Sequence, residues 1–133
     1  MAFQYGVTLR NNMISQIQTT VAAAGTTAMH LRIYSGAEPA NCAATEPSGL
    51  LATIVLPATF LTSSGGTTTI AGTWSATATG SGNAQSFRIY DMAGTPVCHV
   101  QGNTSSDLAL TNSSVTAGQT VVVTSFSVTE VNA

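Results

Sequence analysis

The sequence predicts a mainly β protein, an antiparallel β-sandwich or jelly-roll-like fold with one N-terminal α-helix. The hydrophobic period changes from 3.6 to 2 residues after Gly25, which is typical of a helix followed by strands. Seven or eight short segments then follow, separated by clusters of Gly, Pro, Asn and Ser, as in β-sandwiches. A parallel α/β sheet would need a helix between successive strands, and the sequence predicts only one helix.

The N-terminal helix is predicted from apolar residues that recur at helical spacing. These residues are Leu9, Met13, Ile14, Ile17, Val21 and Ala24. Thr8 is placed to cap the start of the helix, and Gly25 stands where a C-terminal residue in the left-handed conformation belongs. We expect the apolar stripe to pack against the chain's own sheet or against a neighbouring subunit.

The strands are predicted from the alternation of apolar and polar residues. They span residues 28–34, 50–56, 67–70, 73–79, 86–90, 97–101, 108–110 and 119–130. Residues 37–48 contain two prolines and no hydrophobic period, so they predict a long loop. The length fits one domain, residues 1–133, with an N-terminal arm and helix at 1–25 and a β-sandwich at 26–133.

A short internal echo links two of the predicted strands. The sequence LRIY at 31–34 matches FRIY at 87–90, and a cysteine, Cys42 or Cys98, follows at the same offset in each case. In both copies the Arg and the Tyr lie opposite the apolar face, so two equivalent strands would each present an Arg–Tyr pair at a surface. A chance match in a repetitive β sequence is the alternative.

The two cysteines have two alternative states. Because Cys42 and Cys98 follow equivalent strands, they favour a disulfide if the protein ends outside the cell. Proteins made in the cytoplasm keep their thiols reduced, which predicts two free thiols instead.

Charged residues are scarce in this chain. Three arginines, no lysine and five acidic residues make up 6% of the sequence, whereas soluble domains carry about 25% charged residues. So few cations argue against phosphate neutralisation on nucleic acid and against a polybasic membrane patch. The low charge fits either a Thr- and Ser-rich domain that tolerates neutrality or a subunit fixed in an assembly.

The sequence shows no targeting pattern that we recognise. The first residues lack a basic region followed by an apolar one, and no apolar run approaches the ~18–20 residues of a membrane span. We therefore expect the protein to be made and folded in the cytoplasm.

Residues suited to catalysis are not grouped in the sequence. No serine lies in a G-x-S-x-G elbow, and the five acidic residues are scattered over loops and strand ends. His30 and His99 stand on strands, where we expect surface or inter-strand roles rather than base catalysis. Cys98 and His99 are neighbours that point to opposite faces, unlike a zinc-ligand pair. The sequence predicts no enzyme, no cofactor, no metal site and no small-molecule substrate.

Several motifs along the chain share one pattern. They are TLRN at 8–11, LRIYSG at 31–36 with Pro39 after it, LLATI at 50–54, AGTW at 71–74, FRIYD at 87–91, SDLAL at 106–110 and the ending from GQTV at 118–121 through NA at 132–133. On these motifs the whole chain resembles a family of small virion structural proteins of tailed bacteriophages, most of all the capsid cement or decoration proteins. The motifs mark strands and turns, so the resemblance transfers no functional residue.

The resemblance implies a jelly-roll-like sandwich that is made in the host cytoplasm and docks on the outer capsid surface of the virion. Its implied partners are the major capsid protein and other copies of itself, as a homo-oligomer that bridges and stabilises neighbouring capsomers. Such a subunit gains avidity from several modest contacts. We expect the contacts to come from residues 2–7 and from the 37–48 loop, and in particular from Phe3, Tyr5, Glu38, Pro39 and Glu46.

Two other functions stay open at the level of sequence. One is a minor tail or fibre-associated module that binds a host glycan or another tail protein, with an aromatic-lined groove near Trp74 or Tyr90. The other is a cellular adhesin or enzyme accessory domain, which the missing export signal disfavours.

Overall fold

A computed structural model describes residues 4–23 and 29–129 of the chain. The helix α1 covers Val7–Ala22. The strands that follow are β1 Met29–Tyr34, β2 Leu50–Val55, β3 Leu61–Ser64, β4 Thr67–Ile70, β5 Ser75–Thr77, β6 Gly82–Asn83, β7 Ser86–Asp91, β8 Val97–Asn103, β9 Leu108–Leu110, β10 Ser114–Val115 and β11 Thr120–Thr129. The predicted class is confirmed, because these residues are mainly β and contain one helix.

The strands form two main antiparallel sheets. The first sheet has the order β2-β1-β7-β8. The second has the order β3-β4-β11-β5, with β9 also paired to β11, and β6 and β10 form a short separate ribbon. A single apolar core draws residues from both main sheets, so the fold is a β-sandwich.

Aromatic rings fill the core between the two sheets. Trp74 is fully buried, and its ring centroid lies 6.0 Å from that of Phe60 and 5.7 Å from that of Phe126. Phe87, from the first sheet, meets Phe126 edge-on at 5.7 Å, a favourable geometry for two rings. Because Trp74 is enclosed in this cluster, its ring lines no surface groove among the described residues, contrary to the groove that the tail-module alternative places near it.

Fewer apolar residues of the helix pack against the core than its sequence predicts. Ile14 and Val21 are buried and Ile17 packs against the core, but Leu9 and Met13 are 49% and 40% exposed. The side-chain amide of Gln18 explains part of the difference. Its oxygen accepts the Phe60 and Leu61 N–H groups at 2.8 Å, and its nitrogen donates to the Ala58 carbonyl, so a polar residue docks the helix on the sheet.

The ends of the helix also differ from the prediction. The N-cap residue is Gly6 rather than Thr8, and no side chain caps the first turn. At the other end the cap residue is Ala23, in a helical conformation. Ala24 and Gly25 lie outside the described residues, as do Ala28 and Glu130 at the limits of two predicted strands.

The strand β3 forms a hairpin with β4 through the Ser- and Gly-rich cluster at 63–66. Ser63 and Ser64 belong to β3, and the turn is confined to Gly65 and Gly66, with φ angles of 60° and 81°. Two consecutive positive φ angles are characteristic of the type I′ turn, which glycine adopts without strain. Ser64 therefore pairs directly with Thr67, and a strand appears where the sequence predicts none.

Other strands keep their predicted position and change in extent. The predicted strand 73–79 is reduced to β5, Ser75–Thr77. The short strands β6 and β10, which pair with each other, are not among the predicted strands. In β11 the register against β9 shifts between Val123 and Ser125. This irregularity turns Phe126 toward the core together with Val121 and Val123, against the simple alternation of the sequence.

Candidate functional site

The two copies of the internal echo lie side by side on the first sheet. Strand β1 pairs with β7 so that Arg32 stands directly opposite Arg88. One of the two interpretations of the echo places both Arg–Tyr pairs at a surface, and this is wrong for three of the four residues. Tyr34 is 0%, Arg88 2% and Tyr90 5% exposed. We call Arg32, Tyr34, Arg88 and Tyr90 the arginine–tyrosine layer.

The 37–48 loop covers this layer. The guanidinium of Arg88 donates from Nη2 to the carbonyl oxygens of Asn41 at 3.1 Å and Ala44 at 3.0 Å. Its Nη1 donates to the Tyr90 hydroxyl at 3.1 Å and its Nε to Gln101 Oε1 at 3.3 Å. A buried charge of this kind is tolerated only when its donors are satisfied, so the loop carbonyls are part of the layer.

A turn inside the loop holds those carbonyls in place. The Asn41 side-chain oxygen accepts the N–H groups of Ala43 at 2.9 Å and Ala44 at 3.0 Å. Gln101, on the edge strand β8, donates from Nε2 to the Pro39 carbonyl at 2.7 Å. Asparagine forms such local turns readily because its short side chain mimics a backbone acceptor.

Glu46 balances part of the charge in the layer. Its Oε1 accepts from Arg32 Nη1 at 2.8 Å and from the Tyr34 hydroxyl at 2.5 Å. Partial burial pushes the pKa of Glu46 upward, but the bonds from Tyr34 and Arg32 outweigh it, and the pKa falls below its ordinary value. Burial and the hydrogen bonds with Glu46 and Tyr90 raise the pKa of Tyr34, so this phenol stays protonated.

A disulfide ties the loop to the sheet. Cys42 in the loop and Cys98 on β8 are bonded, with their Cα atoms 5.4 Å apart, and no free cysteine occurs in the described chain. Of the two alternatives left by the sequence, the structure contains the oxidised one. The link closes a segment of 56 residues in sequence and fixes the loop next to Arg88.

A cavity of about 620 Å³ opens beside the disulfide. Its walls come from the loop, the arginine–tyrosine layer and the start of β8, and include Arg32, Glu46, Arg88, Tyr90, Pro96 and Val97. The Arg32 guanidinium carbon lies 5.4 Å from the centroid of the Tyr90 ring, within the range of a cation–π contact. The expected aromatic groove near Tyr90 thus has a counterpart, although it is lined mainly by polar and small residues.

The predicted contact residues fall in different places. Glu46 and the Pro39 carbonyl are engaged in holding the loop on the sheet, and Glu38 is exposed on that loop. Tyr5 precedes the helix and is 37% exposed, while Phe3 lies outside the described residues. The sequence reasoning did not identify Arg88 and Gln101 as partners of the loop, although the LRIY and FRIY echo marked the strands concerned.

A second exposed feature lies on the helix. Leu9 and Met13 are one helical turn apart, so they share a face of α1, and both are exposed. Tyr5, before the helix, and Val7, on a different side of it, are exposed as well. We call Leu9 and Met13 the helix patch. A smaller hollow of about 220 Å³ lies between the helix and β8, next to Met13 and His99. Exposed apolar side chains grouped in this way are typical of interaction surfaces.

Within residues 4–23 and 29–129, no three His, Cys, Asp or Glu side chains come together in a way that could hold a metal ion. No described helix has both the length and the apolar character needed to cross a bilayer. No family model matches the chain, and no curated protein or solved structure is detectably similar to it.

Proposed function

We propose that this protein is a structural subunit of a tailed-phage virion that decorates the outer face of the capsid and bridges neighbouring capsomers. The observation that carries the proposal is the helix patch, an uncharged apolar surface on a chain with very few charges. Leu9 and Met13 are 49% and 40% exposed, so burying the rest of each side chain on a partner would contribute about 0.7–1.5 kcal/mol per residue. A surface of this kind is suited to a permanent contact rather than to free diffusion.

The distribution of charge supports the same proposal. Arg32 binds Glu46, and Arg88 donates to a carbonyl group of the 37–48 loop. Asp91 accepts the backbone N–H of Ala93, and Asp107 accepts that of Asn103. Most of the few charges are therefore used to build the subunit. What remains at the surface is rich in hydroxyl and amide groups, which form hydrogen bonds with a partner without the desolvation cost of buried charges.

The test is reconstitution on particles that lack the chain. Purified protein is added to such particles and occupancy is measured by quantitative gel and by electron microscopy. The double variant Leu9→Ser and Met13→Ser is expected to bind at least about tenfold more weakly, because it removes the apolar contact. The matched control is Leu50→Ser and Val55→Ser, which changes two exposed apolar residues on β2 and is expected to bind as the unchanged protein does.

The result can contradict the proposal in two ways. Equal occupancy for the helix-patch variant and its control would show that the shell does not contact this surface. A few copies located only at the tail would favour the tail-module alternative instead, and absence of the chain from purified virions would overturn the assignment to the particle altogether.

A further inference from the structure

The cavity beside the disulfide concentrates positive charge. Two of the three arginines in the sequence, Arg32 and Arg88, line it, and the chain contains no lysine. Glu46 is the one acidic residue in the same walls. The lining therefore carries one more positive than negative charge, although the whole chain has a net charge of −2. A concave site with excess positive charge and low-dielectric walls attracts anions.

The two arginines have different capacity to bind a ligand. Arg88 uses Nε, Nη1 and Nη2 on Gln101, Tyr90 and the loop carbonyls, so it contributes mainly its charge. Arg32 donates from Nη1 to Glu46, and its side chain also interacts with the neighbouring Tyr34 hydroxyl. Its Nε is buried with no hydrogen-bond partner in this part of the chain, which is costly for a guanidinium.

The unused edge of Arg32 has the geometry for a carboxylate. The Nε and Nη2 groups of a guanidinium lie on one side and bind two carboxylate oxygens in parallel. Arg32 lines the cavity, but its Nε is enclosed in the observed position, so a ligand carboxylate reaches this edge only if the side chain rotates. Such a contact would satisfy both donors and balance the excess charge.

The volume of the cavity and its other lining residues indicate the size and chemistry of the rest of the ligand. A volume of about 620 Å³ is much larger than one carboxylate group and falls within the range of small-molecule pockets. Pro96 and Val97 provide apolar contact, and the free oxygen of Glu46 provides an acceptor for hydroxyl groups. We propose that this cavity binds a small hydroxylated carboxylic acid, of the size of an acidic monosaccharide, through the Nε–Nη2 edge of Arg32.

The proposal is independent of the docking surface and can be tested on the full chain in solution. Isotope-labelled protein is titrated with glucuronate, glucose, acetate or N-acetyl-alanyl-glutamate, and amide shifts are followed by NMR. Glucuronate is expected to shift the amide signals of residues 41–46 and 97–98, which line or adjoin the cavity. Acetate should bind there at least about tenfold more weakly, since it lacks the hydroxylated body, and glucose should not bind measurably.

Two variants with matched controls locate the site. Arg32→Gln is expected to weaken glucuronate binding by about tenfold or more, whereas Arg10→Gln removes the same charge outside the cavity and should have little effect. Val97→Trp fills the cavity mouth without changing its charge and is expected to abolish the shifts. Val55→Trp changes an equally exposed valine on β2 and should preserve them.

Several outcomes would overturn the proposal. They are the absence of localised shifts with glucuronate, equal binding of glucose or acetate, and unchanged binding by the Val97→Trp variant. Tighter binding of the glutamyl dipeptide than of glucuronate would overturn the assignment to a sugar acid and identify the site as a receptor for an acidic side chain of a partner protein.

Discussion

The inner and outer faces of the two central strands of the first sheet, β1 and β7, are both largely buried, but by different kinds of contact. The inner face carries Leu31, Ile33, Phe87 and Ile89, which join the apolar core of the sandwich. The outer face carries the arginine–tyrosine layer, which the 37–48 loop covers, and a disulfide links that loop to β8. Successive residues of β1 and β7 thus alternate between the two environments.

The difference shows what each kind of burial requires. Apolar burial is non-directional, so the inner face needs only side chains of suitable volume from the opposite sheet. The outer face contains donors and a charge, and each needs an acceptor at the correct position. A loop without regular structure provides such acceptors because its carbonyl groups are not used in a strand ladder. The covalent link then holds those acceptors against the sheet.

The largest predicted effect comes from truncating the inner face. Phe87→Ala is expected to lower the free energy of unfolding by about 3–5 kcal/mol, through lost apolar contact and a cavity next to Phe126. Its neighbour Arg88→Met should cost less, about 1–3 kcal/mol, because loop carbonyls that lose a partner can turn toward water. Urea unfolding of both variants measures the difference. A larger loss for Arg88→Met would show that the loop layer, rather than the core, dominates stability.

The disulfide is expected to have the next largest effect. Reduction should lower the free energy of unfolding by about 2–4 kcal/mol, because the closed segment of 56 residues restricts the unfolded chain. The sandwich core does not depend on the bond, so the reduced protein should stay folded while amide hydrogens of the loop exchange faster. Urea unfolding and hydrogen exchange with and without reductant are the measurements.

The control for that experiment is the double variant Cys42→Ala and Cys98→Ala. It should reproduce the reduced protein and show no response to reductant. A midpoint of unfolding that is the same in oxidised and reduced protein would contradict the role assigned to the link.

The smallest predicted effect is the pH dependence of the outer face. The pKa of Glu46 is lowered in the folded protein, so its contribution is complete above the ordinary value of 4.5 and is lost as the pH falls below it. Glu46→Gln should therefore flatten the decline of stability with falling pH in that range. The carboxyl side chain is 42% exposed, so solvent screening keeps the difference small. Equal slopes for both proteins in urea titrations would contradict this assignment.

The candidate site could be predicted from the sequence only in part. The echo of LRIY and FRIY, each followed by a cysteine, identified the strands and the pair of cysteines that the structure brings together. It did not show that Arg32 and Arg88 face each other, since this requires β1 and β7 to be adjacent. Nor could it show that the loop after one copy covers both. Those contacts join residues more than forty positions apart in sequence.

The helix also shows what the hydrophobic pattern of a sequence leaves undetermined. Its spacing placed Leu9 and Met13 with Ile14 and Val21 on one apolar stripe, but only the latter two are buried. Periodicity reports which residues share a face, and it does not report how much of that face meets the sheet. The hydrogen bonds from the backbone N–H groups of Phe60 and Leu61 to the Gln18 side chain help to determine which part of the helix face meets the sheet. Because Gln18 is polar, its role gives no signal in the hydrophobic pattern.

By itself, the sequence determined the β class, the N-terminal helix, most strand positions and the scarcity of charge, because these depend on local periodicity, turn residues and composition. The tertiary structure alone decided which side chains the outer face of the first sheet buries, what covers them, and that two arginines meet beside one cavity. Burial of polar groups depends on acceptors supplied from distant parts of the chain, and no local pattern encodes where those acceptors will lie.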